Sequence, residues 1–355
     1  MVHRAIRAQS FVVRRTENTG QLAARGWQPY TLEKEETDVK DLWNAPDPEA
    51  LPGHRPTAAA SRLRLPALAA APLALMLTLS ACGGSDEEQT PAEQVEADDE
   101  LAALVPDDLA EKGVVTIGVE SAYPPGEFLD TDGTTVIGFN VELYDAAMAK
   151  LGLTTDWQSA PFDAIITGVT SNKYDVGVSS FTINAERLEQ VNMVSYFNVG
   201  TQWFGLAGNP NDVDPDDACG KSVAVQSGTV QVEDIEARSE ACEEDGKDPI
   251  SIQQYEDQTL ATNSVVSGQN DASLADLPVS GYAISQTGDK LETYGEQYEA
   301  APYGVVVPKD ETELAEAVRA AYASIIEDGT YAEILDKWDI ANGAIETPEV
   351  NPSVG

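Results

Sequence analysis

The sequence predicts an α/β fold built as two successive units between residues 105 and 345. Short β-branched runs alternate with helical patterns. That alternation breaks off and restarts near Ser222. The two units share architecture but no detectable sequence repeat. Strands alternating with helices imply a parallel or mixed sheet.

Val114–Val119 (VVTIGV) is a strand, broken by Tyr123-Pro124-Pro125-Gly126; a turn follows over Asp130 to Gly133. From Asn140 to Leu151, Tyr144, Ala147, Met148 and Leu151 fall on one helical stripe, and Gly152 ends that helix. Phe162 to Ser171 forms a second helix and Tyr174 to Val178 a strand. The second unit begins with a strand at Ser222 to Val225, the turn Gln226-Ser227-Gly228-Thr229 and a helix from Val230 to Ala241. A helix at Thr259 to Ser267 and a strand at Ala272 to Ala275, ending on Asp276, follow. Tyr303 to Val307 is a last buried strand. Leu314, Val318, Ala321, Tyr322 and Ile325 then share one helical face.

The formal net charge is −40. Such a chain repels phosphate, which excludes nucleic acid as a partner. The charge is uneven: residues 1–81 hold 10 Lys+Arg and 8 Asp+Glu, whereas residues 82–355 hold 11 and 53. Carboxylates spread along so much chain describe a solvated surface more readily than a site. The two histidines, His3 and His54, both precede residue 81. Without that segment no Ser-His-Asp triad, Cys-His dyad or histidine metal site can be built, and no metal or cofactor is expected.

Ser61 to Gly84 reads as a secretory signal: Arg62 and Arg64, an apolar stretch from Leu65 to Leu79, then small residues before Cys82. The apolar stretch is too short for a membrane span and contains Pro66 and Pro72. Leu79-Ser80-Ala81-Cys82 resembles a bacterial lipobox, which implies lipidation of Cys82 and anchoring to the outer face of the cell membrane. Residues 61–81 would then be signal peptide and residues 82–104 a disordered acidic tether. Residues 1–60 are expected to be a non-native or mis-called extension. No Met lies between Met1 and Met76, so the true start would be a non-Met codon shortly before Arg62. Past the signal, Cys219 and Cys242 are free to pair. A structural disulfide is the expectation and two free thiols the alternative.

Five blocks, in order, resemble the polar-amino-acid solute-binding family of ABC importers. They are Ile117 to Pro125; Val136 to Leu143, against a family form GFDVDL; Asp175 to Arg187, against T-I-T-x-E-R; Gly220 to Thr229, against GKKVGVQxGT; and Asp328 to Tyr331 with Lys337-Trp338. The resemblance implies a two-lobed periplasmic-binding-protein-like fold of type II with a two-crossing hinge. Lobe 1 would comprise residues 105–204 plus 301–345, lobe 2 residues 205–300, and residues 346–355 a C-terminal tail. The crossings are expected near Phe204 to Asn209 and near Ala300 to Tyr303. The implied function is capture of a polar amino acid, basic side chains included, by cleft closure, with delivery to an ABC permease by a monomer. A same-scaffold enzyme resembling cyclohexadienyl dehydratases, or a sensory module for a receptor, are the rival readings.

The resemblance also assigns a ligand set. Arg187 offers a bidentate guanidinium to the ligand carboxylate, assisted by backbone N–H groups near Thr182 and at Thr229, where a helix begins. Asp276 takes the ammonium, its alternative role being a helix N-cap. Ser179 and Ser180 accept from the same group. Glu120 and Tyr123 meet the ligand side chain and Phe162 packs a wall. Gly126 and Val230 depart from the commoner Phe and Thr, removing a pocket wall and a hydroxyl contact, with Gln231 placed to compensate.

Overall fold

A computed structural model describes residues 95–288 and 290–354. The signal peptide, Cys82, the extension and the first part of the tether lie outside these residues. Two short helices open the described chain, α1 (Asp99–Ala102) and α2 (Asp107–Lys112). Then follow β1 (Val114–Val119), the three-stranded ribbon β2 (Ala122–Tyr123), β3 (Glu127–Leu129) and β4 (Val136–Ile137), and α3 (Phe139–Lys150). Next come β5 (Thr154–Ser159), α4 (Phe162–Thr170), β6 (Val176–Gly177), α5 (Ala185–Gln190) and the long β7 (Val191–Leu206). The second unit holds β8 (Ser222–Gln226), α6 (Val230–Glu244), β9 (Ser251–Tyr255), α7 (Gln258–Val266), β10 (Ala272–Asp276) and α8 (Leu277–Thr287). The chain returns through β11 (Leu291–Pro308) to α9 (Thr312–Asp328) and α10 (Thr330–Lys337).

The main sheet runs β5-β1-β6-β11-β7-β10-β8-β9. Its outer strands pair in parallel, β5-β1-β6 on one side and β10-β8-β9 on the other. The central β11-β7 pair is antiparallel, making a mixed α/β sheet of two halves.

β7 and β11 belong to both halves. Residues 191–199 of β7 pair with Ala301–Pro308, whereas its residues 201–206 pair with 291–298 of β11, and Thr201–Gly205 also with β10. The register shifts between Tyr294 and Tyr298 and again between Tyr298 and Ala301. There Glu299 takes a positive φ of 51°. A Cβ at Gly200 would lie 2.8 Å from the Tyr298 carbonyl oxygen, so only glycine lets the strands pass. The first crossing is therefore at Gly200, ahead of the expected Phe204 to Asn209, because residues 201–205 are already bonded to β10. The second, at Glu299–Ala300, overlaps the start of the expected segment.

The helical faces seen in the sequence are the ones buried. Leu314, Val318, Ala321, Tyr322 and Ile325 of α9 pack with Tyr144, Ala147 and Met148 of α3 in the core of the first half. The Leu, Val, Ile and Met side chains among them contribute about 1.5–3 kcal/mol each on burial. The second half centres on Trp203, Val223, Val225, Ile235 and Leu274. Cys219 and Cys242 of that half are disulfide-bonded, Cα–Cα 5.6 Å.

The expected disordered tether ends earlier than residue 104. Asp98 caps α1 by accepting from the N–H groups of Glu100 and Leu101, and Val95 and Leu101 pack on the core. An apolar pair spaced to reach the core gives this segment an energetic reason to order. The tail also docks: the Glu349 carbonyl accepts from Ser195 N–H and Asn351 N–H donates to the Met193 carbonyl. Among the described residues no helix is long and apolar enough to cross a membrane.

Candidate functional site

In α/β sheets the strand C-termini face the ligand crevice, and the cleft between these halves follows that rule. The first half brings Tyr123 from β2, Ser179, Ser180 and Thr182 from beyond β6, and Arg187 from α5. The second brings Gln226 from the end of β8, Thr229 to Gln231 at the start of α6, and Asp276 from the end of β10. With Phe162 these residues line one space. Every ligand residue expected from sequence is in this lining except Glu120; Gln226 and Val230 complete it.

Arg187 is held by neutral groups. Asn184 caps its helix, accepting from the Arg187 N–H at 2.9 Å. Nη1 donates to the Thr182 carbonyl at 2.6 Å and, across the cleft, Nη2 donates to the Gly228 carbonyl at 3.2 Å. The guanidinium lies over the Phe162 and Phe181 rings, which stack on each other. Burial lowers its pKa to about 10, a cost that an anion in the cleft would offset. Phe162 thus lines the space and is also a platform for the cation.

Asp276 occupies the N-cap position of α8 but makes no side-chain cap bond. Its carboxylate turns into the cleft instead. Oδ2 accepts from Tyr123 Oη at 2.9 Å and from Tyr303 Oη at 2.5 Å, and Oδ1 accepts from Gln231 Nε2 at 2.9 Å. Burial pushes its pKa up, against those three bonds and the nearby Arg187 charge. Tyr123 and Gln231 thus orient Asp276 while lining the same space. Tyr303, buried in a strand of mostly apolar residues, carried no signal.

Thr229 caps α6 without a side-chain cap bond; its hydroxyl donates back to the Gln226 carbonyl at 2.7 Å. The first-turn N–H groups of this 15-residue helix thus lack a side-chain cap, and they begin at the cleft. Gly228, at φ 76°, sits where a Cβ would come within 3.0 Å of Asp163 Cβ, so glycine allows α6 and α4 to approach across the cleft.

Glu120 lies behind the lining, buried, with Oε2 accepting from Gln226 Nε2 at 3.3 Å. Burial raises its pKa to about 7, with Asp257 and Glu256 adding to the rise. Gln226, which sequence reading had placed only in a turn, is the residue through which this carboxylate meets the cleft. Behind the serines lies a second carboxyl missed in the sequence: Glu127, fully buried against Asn140, Ser179 and Ser180. A Cβ at Gly126 would meet Ser180 Oγ at 3.0 Å and Asn140 Nδ2 at 3.1 Å, so this glycine packs against the same polar cluster. Three carboxyls, Glu120, Glu127 and Asp276, and the Arg187 guanidinium are thus buried in or behind this lining.

Comparison with known proteins agrees with this architecture. The chain is 36% identical to the arginine-binding protein ArgT of Corynebacterium glutamicum over 284 residues, 79% of this chain and 93% of that one. It is 27% identical to the L-cystine-binding protein TcyJ of Escherichia coli, over 64% of this chain and 83% of that one. An ancestral arginine-binding protein solved with arginine bound superposes with a TM-score of 0.60 at 29% identity, covering 64% of this chain and 98% of that one. The model of the bacterial extracellular solute-binding proteins, family 3, matches residues 115–341, and the chain belongs to that family.

Proposed function

We propose that this protein captures an L-amino acid with a cationic side chain and hands it to an ABC permease. The carrying observation is the division of charge in the cleft. Arg187 offers an unshared cation and α6 uncapped N–H groups to a carboxylate, while Asp276 offers a buried acceptor to an ammonium. Glu120, behind Gln226, supplies a carboxyl that a side-chain cation would hold ionised. A zwitterion satisfies Arg187 and Asp276 together, and a side-chain cation balances Glu120; unpaired buried charges would otherwise be costly. The arginine-binding relatives support the same class.

The direct test is titration calorimetry against L-arginine, L-lysine, L-ornithine, L-glutamine and L-cystine. Micromolar or tighter binding of a basic amino acid is expected. Binding of L-cystine alone would leave the solute-binding role intact and overturn the cationic class. We further propose that Cys82 is lipidated and that the protein acts as a monomer at the outer face of the cell membrane. Mass spectrometry of the native N-terminal peptide reads the first point, and light scattering the second.

A further inference from the structure

Glu127 on β3 has no task in the ligand reading, yet it is fully buried and surrounded by donors. Asn140 Nδ2 donates to Oε2 at 2.6 Å, Ser180 Oγ to Oε2 at 3.2 Å and Ser179 Oγ to Oε1 at 3.3 Å. None of these partners is a cation, so Glu127 is not half of a structural ion pair.

The hydroxyl protons can be counted. A serine oxygen has one proton and two lone pairs. Ser179 Oγ already accepts from the Glu120 N–H at 2.9 Å, and Ser180 Oγ from Asn140 Nδ2 at 2.9 Å. Each hydroxyl proton is then directed at Glu127. Each oxygen keeps a lone pair, and no proton, for the cleft it lines. Asp276, opposite, is likewise an acceptor.

We infer that Glu127 is a positioning residue that turns the Ser179 and Ser180 hydroxyl protons away from the cleft, so that the ligand's α-nitrogen meets only acceptors and ammonium is selected over hydroxyl. This inference rests on the amino-acid reading and adds a residue that touches no ligand atom. An ammonium brings three N–H donors to such a set. A hydroxyl brings one, and its lone pairs face other lone pairs. Burial, helped by the Glu120 charge, pushes the Glu127 pKa well up, and the bonds from Asn140, Ser180 and Ser179 only partly oppose this. A cation in front of the serines works in the same direction as those bonds.

The experiment compares L-arginine with its 2-hydroxy analogue by calorimetry on the full-length protein. Wild type should prefer L-arginine strongly. Glu127→Gln keeps the shape but exchanges an acceptor for an NH₂ donor, which returns a serine proton to the cleft. L-arginine should weaken by about tenfold or more, the hydroxy analogue should not weaken, and the preference should narrow accordingly. Glu127→Asp, which keeps the carboxylate, should retain the preference. An unchanged preference in Glu127→Gln overturns the inference alone; failure of wild type to bind either probe overturns the amino-acid reading as well. Should Glu127→Gln not fold, Ser180→Ala decides. Loss of L-arginine affinity alone supports an acceptor-only serine, and equal loss for both ligands overturns it.

Discussion

Tyr123 and Asp276 meet across the cleft through two hydrogen bonds: the phenol donates to Oδ2 at 2.9 Å and accepts the Asp276 N–H at 3.2 Å. The same contact that joins the halves also holds the proposed ammonium acceptor in place. Tyr123→Phe should therefore weaken ligand binding by about tenfold, the worth of one buried hydrogen bond. Most of the change should lie in the dissociation rate, read by stopped-flow fluorescence. Unchanged dissociation would remove Tyr123 from the closed state.

Arg187→Ala and Asp276→Ala should each cost several kcal/mol of binding, since each leaves an opposite ligand charge buried without a partner. Calorimetry provides the measurement. Wild-type affinity in either variant would remove that residue from the site.

Glu120 makes the affinity pH-dependent. Its pKa in the protein is about 7 against an ordinary 4.5, chiefly through burial. A cationic ligand favours the ionised form, so binding near neutral pH should release a proton, and affinity should rise as pH increases through 6 to 8. For the unliganded protein the sign is opposite. Between about 4.5 and 7 the folded state holds a proton that the unfolded chain has lost, so this group's contribution to stability falls as pH rises. Glu120→Gln should flatten both dependences relative to wild type, in calorimetry across buffers of different ionisation heat and in thermal melts from pH 4.5 to 8. Parallel pH profiles in the two proteins would contradict this assignment.

The Cys219–Cys242 bridge closes a loop with a sequence separation of 23. Replacing both cysteines by serine should lower unfolding free energy by roughly 3 kcal/mol on the loop-entropy account. Urea denaturation would show it, and ligand affinity should persist because neither cysteine lines the cleft.

What could be read from sequence were features whose physics is local. The α9 stripe, the Gly152 helix stop and the strand ending on Asp276 each follow from periodicity or backbone freedom within a few residues. β5, Thr154–Ser159, escaped because an edge strand with half-exposed polar residues shows little apolar alternation. β7 was hidden for the opposite reason: buried on both faces for most of its length, it lacks the period of two. The site was legible as a set of residues but not as a set of roles. Whether Asp276 caps a helix or faces a ligand depends on Tyr303 and Gln231, distant in sequence and brought to it only by the fold. Glu127 was missed because a glutamate beside a Pro-Gly turn reads as solvated, and only the packing of Asn140, Ser179 and Ser180 shows otherwise.

The passage of β7 and β11 side by side between the halves, paired on either side of the interruption at Gly200 and Glu299, has a mechanical consequence. Two independent linkers would let the halves swivel, slide and tilt separately. A two-stranded strip pinched at Gly200 and Glu299 resists twisting and shearing and folds along one crease. Opening and shutting then reduce to a single coordinate, like a hinged book. A solute that engages only one half cannot draw in part of the other, and must wait for the whole page to turn.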